Sequence, residues 1–145
     1  MVNLPAVTDA IAAGRLINLR AIPIFAELDD DGLRRILECA TEFEAPAGHV
    51  LAEAKMAGAG LFVIEEGSVV VDVPGHPYEM GRGEFFGELS LLTPNAVRAA
   101  RVRAKTRTRC LAISRHDFER TLVAEPRLAI SMLRALAQRI VDRSI

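Results

Sequence analysis

From Phe43 to Ile113 the chain is cut by glycine and proline into short β-rich runs, and helical spacing lies on either side. The runs are Val50-Leu51, Leu61 to Ile64, Ser68 to Val73 and Val102 to Ile113. Glu65-Glu66-Gly67 reads as a hairpin turn between two of them, and Pro74-Gly75-His76-Pro77 as another. The order of helix, many short strands and helix predicts an α+β fold. It is an antiparallel β-roll or jelly-roll barrel flanked by N-terminal helices and two C-terminal helices.

With 145 residues the chain is expected to form one domain over 1–145, able to bury a core without metal or disulfide staples. Its parts are an N-terminal helical segment (1–42), the roll (43–114) and C-terminal helices (115–145). Half of the residues are apolar and 26% are charged, with a net charge of −1. That balance is ordinary for a globular domain, and a nucleic-acid binder would be clearly basic. Cys39 and Cys110 fit a reducing compartment, as small buried hydrophobes rather than a disulfide framework. No apolar run approaches the ~18 residues of a membrane helix. Asp9 and Arg15 interrupt the N-terminal apolar residues, which makes a poor signal peptide. The chain is therefore expected to be cytoplasmic and free of the membrane.

Residues 6–20 have helical spacing through Val7, Ile11, Leu16 and Ile17, with Thr8 or Asp9 as a cap. Asp29 to Asp31 precede Leu33, Ile36, Leu37 and Ala40, which is an amphipathic helix with acidic residues at its positive end. Helix returns after Arg115, where Ser114 and Asp117 read as a cap and a first-turn acid. It returns again at Pro126, a residue suited to the first turn. From Arg101 to Arg109 basic residues (Arg101, Arg103, Lys105, Arg107, Arg109) alternate with Val102, Ala104, Thr106 and Thr108. Period two puts the basic residues on one face and the small ones inward. A solvated outer face that discourages edge pairing explains this better than a patch for an acidic partner.

The chemistry concentrates in residues 83–102. Gly83 and Gly87 bracket Glu84-Phe85-Phe86 and permit tight turns or close approach of a ligand. After Gly87, the run Glu88-Leu89-Ser90-Leu91-Leu92 can form a helical turn whose free backbone N–H groups face a phosphate. Arg98 offers a fork donor to the same anion, and the small Ala99 and Ala100 let backbone amides come close. Glu88, an acceptor, suits a hydroxyl donor such as a ribose. Phosphate plus ribose hydroxyl is a nucleotide fragment.

The stretch Gly83-Glu84-Phe85-Phe86-Gly87-Glu88-Leu89-Ser90-Leu91, with Arg98-Ala99-Ala100 and Val102 after it, resembles the phosphate-binding cassette of cyclic nucleotide-binding domains. Catabolite activator proteins and regulatory subunits of cyclic AMP-dependent kinase are members. Ala21-Ile22-Pro23-Ile24-Phe25, Ala45-Pro46-Ala47-Gly48-His49-Val50-Leu51 and Leu61 to Gly67 extend the resemblance over most of the chain. It implies a ligand site of Gly87, Glu88, Leu89, Ser90, Arg98, Ala99 and Ala100. Arg98 would neutralise the cyclic phosphate, Glu88 would accept from the ribose 2′-hydroxyl, and the amides of Leu89, Ser90 and Ala99 would complete the cradle. Ala99 after the arginine leans towards cyclic AMP over cyclic GMP. The sequence departs from the family at Glu53-Ala54-Lys55-Met56, at the short turn Gly75-His76-Pro77 and at Arg101, which bears on base selectivity.

Other chemistries find little support. Gly81, Gly83 and Gly87 lack dinucleotide-fingerprint spacing, and His49, His76 and His116 lack metal-ligand spacing. Two cysteines are too few for an iron–sulfur cluster. Ser114, His116 and Asp117 are a helix cap rather than a catalytic triad. No enzyme activity, cofactor or metal is expected.

After Pro126, Leu128, Ile130, Met132, Leu133, Leu136, Ala137, Ile140 and Val141 cover a wide helical face. That face must bury itself on its own roll or on a second copy. No output domain is expected after Ile145, and the expectation is a stand-alone sensor signalling through its last helix. The partner is a protein or a homodimer mate held through residues 126–145, with no direct DNA binding in this chain. The alternatives are the ligand-binding part of a transcription regulator or channel, or a dimerisation module with a silent pocket.

Overall fold

The computed structural model describes residues 14–52, 60–87 and 100–144. They form two compact units: residues 39–120, and a helical unit of the chain up to residue 38 with the chain from residue 121 onward.

Among the described residues the first unit holds eight strands: β1 (Thr41–Ala45), β2 (Val50–Ala52), β3 (Gly60–Glu66), β4 (Val69–Asp72), β5 (Tyr78–Met80), β6 (Phe85–Phe86), β7 (Arg101–Ala104) and β8 (Thr108–Ser114). They form two four-stranded antiparallel sheets, ordered β1-β8-β3-β6 and β2-β7-β4-β5. Among the described strands the barrel is thus not closed by hydrogen bonds, and the fold is an α+β roll of two sheets. Between them lies a core of Ala52, Ile64, Val69, Val71, Met80, Phe86, Ala100, Val102 and Cys110, drawn from both sheets. Alternation within each strand supplies it. In β7, Val102 and Ala104 are buried while Arg101 is exposed.

The chain changes sheet at almost every connection. Among the described strands only β4 to β5 is a hairpin within one sheet, and its turn is the expected Pro74–Pro77 segment. The hairpin expected at Glu65-Glu66-Gly67 is instead a corner, since β3 and β4 belong to different sheets. The run from Val102 to Ile113 is likewise two strands. It breaks at residues 105–107, and Thr106 is exposed rather than inward.

These two corners lie on each other. Ser68 O accepts from Lys105 N at 2.9 Å, and Ser68 N donates to Thr106 Oγ1 at 3.1 Å. The fully buried Thr108 hydroxyl sits 3.1 Å from Ser68 O and 2.9 Å from Thr106 O. Gly67 has φ +91°, and a Cβ there would overlap the Arg107 carbonyl oxygen and come within 2.9 Å of Thr108 Cα. Only glycine fits so close an approach at that backbone angle.

The helical unit begins with α1, whose described part is residues 14–20, followed by a 3-10 turn at Pro23–Phe25. The N-terminal part of the helix expected over 6–20 lies outside the described residues. Helix α2 (Asp30–Cys39) starts on Asp29, whose Oδ1 accepts from Gly32 N at 2.8 Å. Helix α3 (Arg115–Ala124) bridges the two units in sequence and has the expected start. Ser114 Oγ accepts from Asp117 N at 3.2 Å and donates to Asp117 Oδ2 at 3.1 Å. Helix α4 (Pro126–Ser144) opens on its proline and packs against the 3-10 turn. Leu128 and Met132 of α4 are buried, whereas Ile130, Leu133, Ile140 and Val141 are exposed.

Candidate ligand-binding site

The segment singled out by its charges leaves one sheet and enters the other. The approach to it is a tight turn at residues 81–84. Glu84 Oε2 accepts from Gly81 N at 2.6 Å, and Glu84 N donates to Gly81 O at 3.1 Å. The same turn is tied to β3, because Gly83 N donates to Ile64 O at 2.8 Å and Ile64 N donates to Glu84 O at 2.9 Å. Strand β6 then pairs Phe86 with Phe62 and Phe85 with Val63.

Both phenylalanines of β6 are buried. Phe86 lies flat against Phe62, centroids 5.0 Å apart and planes at 14°, and Phe43 meets Phe62 edge-on at 5.9 Å. Gly87 follows with φ +96°, a left-handed turn that redirects the chain out of the strand. On the far side Ala100 is buried in the shared core, just ahead of β7. Of the expected ligand residues, Gly87 and Ala100 are therefore the two ends of the segment, Gly87 half-buried just past β6 and Ala100 buried in the core of the roll. Glu88, Leu89, Ser90, Arg98 and Ala99 lie outside the described residues.

The aromatic tier was the part of this neighbourhood that residue-by-residue reading missed. Its signal was present in the alternation of Phe62 and Ile64 along β3, which places both on the core side. Half-buried Tyr78 and Val73 pack against the same cluster.

Four of the basic residues of 101–109 are engaged in ion pairs. Arg103 pairs with Asp72 at 3.3 Å, Lys105 with Glu79 at 2.5 Å and Arg109 with Glu66 at 3.1 Å. Arg107 pairs with Glu44, whose carboxyl is held below its usual range chiefly by that hydrogen bond and then by the guanidinium charge. These residues lie on the outward face expected from the alternation, exposed at Lys105 and Arg107 and half-buried at Arg103 and Arg109. Two open depressions, about 450 Å³ beside Glu44 and Arg107 and about 490 Å³ beside Arg20 and Asp29–Asp31, are lined by such paired groups. Cys39 and Cys110 form no disulfide, and burial followed by the nearby Glu65 charge pushes the Cys110 pKa up to about 12. Among the described residues no three histidine, cysteine or carboxylate groups converge on a metal site, and no helix is long and apolar enough to cross a membrane.

Residues 42–125 match the family model of the cyclic nucleotide-binding domain. The chain belongs to that family. The match runs from β1 to the junction of α3 and α4 and includes the whole segment from Gly83 to Val102. A cyclic nucleotide-gated potassium channel of Rhizobium etli is 33% identical over 119 residues, covering 82% of this chain and 33% of the channel. A cyclic AMP-dependent protein kinase regulatory subunit of Aspergillus fumigatus is 32% identical over 107 residues, 72% of this chain and 26% of that protein. The crystal structure of the Thermus thermophilus catabolite activator protein superposes with a TM-score of 0.72 at 26% identity, covering 84% of this chain and 60% of that one. The domain spans between about a fifth and a third of the length of the curated relatives it matches. The family is one of regulatory ligand-binding domains.

Proposed function

We propose that this domain binds cyclic AMP and reports its occupancy through α4. The reading is carried by the sequence, which sets Glu88 and Arg98 in one cassette-like segment between Gly87, a left-handed turn after β6, and Ala100, buried in the core. In this reading Arg98 neutralises the cyclic phosphate, and the amides of Leu89, Ser90 and Ala99 cradle it. Glu88 accepts the 2′-hydroxyl of the ribose. Ala99 and the kinase-subunit relative favour cyclic AMP over cyclic GMP. The chain acts as a cytoplasmic receptor rather than a catalyst, without a cofactor and without direct contact to DNA.

Binding shifts the population between two packings of α4, and the ligand contributes only the difference in its affinity for the two. The receiver is a protein partner or a second copy held through residues 126–145. Ile130, Leu133 and Ile140, all exposed, repeat at spacings of three and seven along α4 and offer such a face. A second reading is the ligand-binding part of a larger channel or transcription regulator, favoured by the small share of each relative that the domain spans.

The test is titration of the purified chain with cyclic AMP and cyclic GMP, read as melting temperature. Stabilisation should grow with the logarithm of ligand excess, by about 2.7 kcal/mol at a hundredfold excess over Kd. It should appear at lower cyclic AMP than cyclic GMP. A flat response to both nucleotides would leave only the dimerisation module.

A further inference from the structure

Within the helical unit, the residue joining α3 to α4 is Glu125, and its backbone belongs to both helices. Its N–H donates to Thr121 O at 2.8 Å, and its carbonyl accepts from Leu128 N at 3.0 Å. The side chain turns onto the first turns of α2. Glu125 Oε1 lies 3.3 Å from Arg35 Nε, with the Glu125 side chain 19% exposed and that of Arg35 60% exposed. The carboxylate occupies the space above Gly32. A Cβ placed there would stand 3.1 to 3.2 Å from all three carboxyl atoms. Gly32 is a buried helical residue with an ordinary backbone angle, so its missing side chain is explained by this contact. Further along α4, Arg134 reaches Glu27 at 3.4 Å, a longer and more exposed contact.

We propose that Arg35 and Glu125, meeting over Gly32, form a latch that sets the joint from which α4 leaves, and that cyclic nucleotide occupancy changes its strength. The inference rests on the proposed function, since it requires a ligand that biases α4. Arg35 and Glu125 are positioning residues and touch no ligand in this account. A partly exposed ion pair is weak, so the latch is easily made and broken. By linkage, a contact that the ligand strengthens or weakens must alter the ligand's own affinity by the same factor.

The experiment measures the Kd for cyclic AMP by calorimetry on the full chain and on Arg35→Gln, Glu125→Gln, the double variant and Gly32→Ala. Both single glutamine variants should shift Kd by about threefold or more in the same direction. The double variant should shift it no further than the larger single effect. Gly32→Ala, which favours the helix while displacing the carboxylate, should move Kd in that direction too while the melting temperature holds or rises. Wild-type binding with all four variants within 1.5-fold, or a double effect equal to the product of the singles, overturns the latch alone. No binding by the wild-type chain overturns the proposed function, and the latch with it.

Discussion

Phe62 and Phe86 stack with centroids 5.0 Å apart and planes only 14° apart, and they face each other in register across β3 and β6. The contact fixes the residue just before Gly87 to a strand at the centre of the first sheet. Phe86→Ala should cost about 3 to 5 kcal/mol of stability, the usual loss for emptying a buried phenylalanine site. Phe62→Ala should cost less, because that ring is only half-buried. Urea denaturation of both variants and the double mutant checks this. The sum of the single losses should exceed the double loss by about 0.5 kcal/mol or more, the coupling of a ring pair.

Gly67 and Gly75 share nearly the same backbone angle, φ +91° and +86°, but not the same surroundings. A Cβ at Gly75 meets nothing within 4 Å, whereas one at Gly67 runs into the second corner. Gly75→Ala should therefore cost about 1 kcal/mol from the backbone alone. Gly67→Ala should cost roughly 2 to 5 kcal/mol, adding overpacking to that strain. Equal melting temperatures for the two variants would refute the packed corners.

The Cys110 thiol, buried and facing the Glu65 charge, titrates at about 12 against an ordinary 9.0. Its folded value is raised, so its contribution to stability is complete below about pH 9 and is lost as pH climbs towards 12. In native protein at pH 8, iodoacetamide should modify the half-buried Cys39 and leave Cys110 untouched. Both should react in guanidinium. Peptide mapping of the labelled protein separates the two sites.

Glu44 shows the opposite sign. Arg107 lowers its carboxyl below the ordinary 4.5, so the pair stabilises the fold above that pH and the benefit disappears as pH falls through the lowered value. Glu44→Gln should narrow the stability gap between pH 6 and pH 3, and added salt should shrink the difference between variant and wild type. A gap that persists at 1 M salt would contradict a solvent-screened pair.

The pattern of short runs was enough for the roll, because period-two alternation and glycine punctuation report local geometry directly. Which strands share a sheet was not legible. Glu65-Glu66-Gly67 has hairpin chemistry, yet the turn feeds a different sheet because Gly67 must pass against Arg107 and Thr108, forty residues later. The break at 105–107 was hidden for a similar reason. The basic alternation runs unbroken through it, since exposed corner and exposed strand face look alike in sequence. Ser114 and Pro126 were readable as helix starts because caps are local. The candidate site is an expectation from the residue chemistry of Glu88 and Arg98, which lie outside the described residues. The contacts that hold β6 and the Gly81–Glu84 turn to β3 depend on pairing partners that no single segment encodes.

The proposed function requires that Arg98 hold the phosphate of a cyclic nucleotide. Calorimetric titration of the wild-type chain and of Arg98→Ala with cyclic AMP tests it most directly. Truncating one side of a buried charge pair costs about 2 to 5 kcal/mol, or roughly 30- to 5,000-fold in affinity. A saturable isotherm is expected for the wild type and a loss of that size in the variant, with an unchanged far-UV spectrum. Equal cyclic AMP affinity in the two proteins would contradict it.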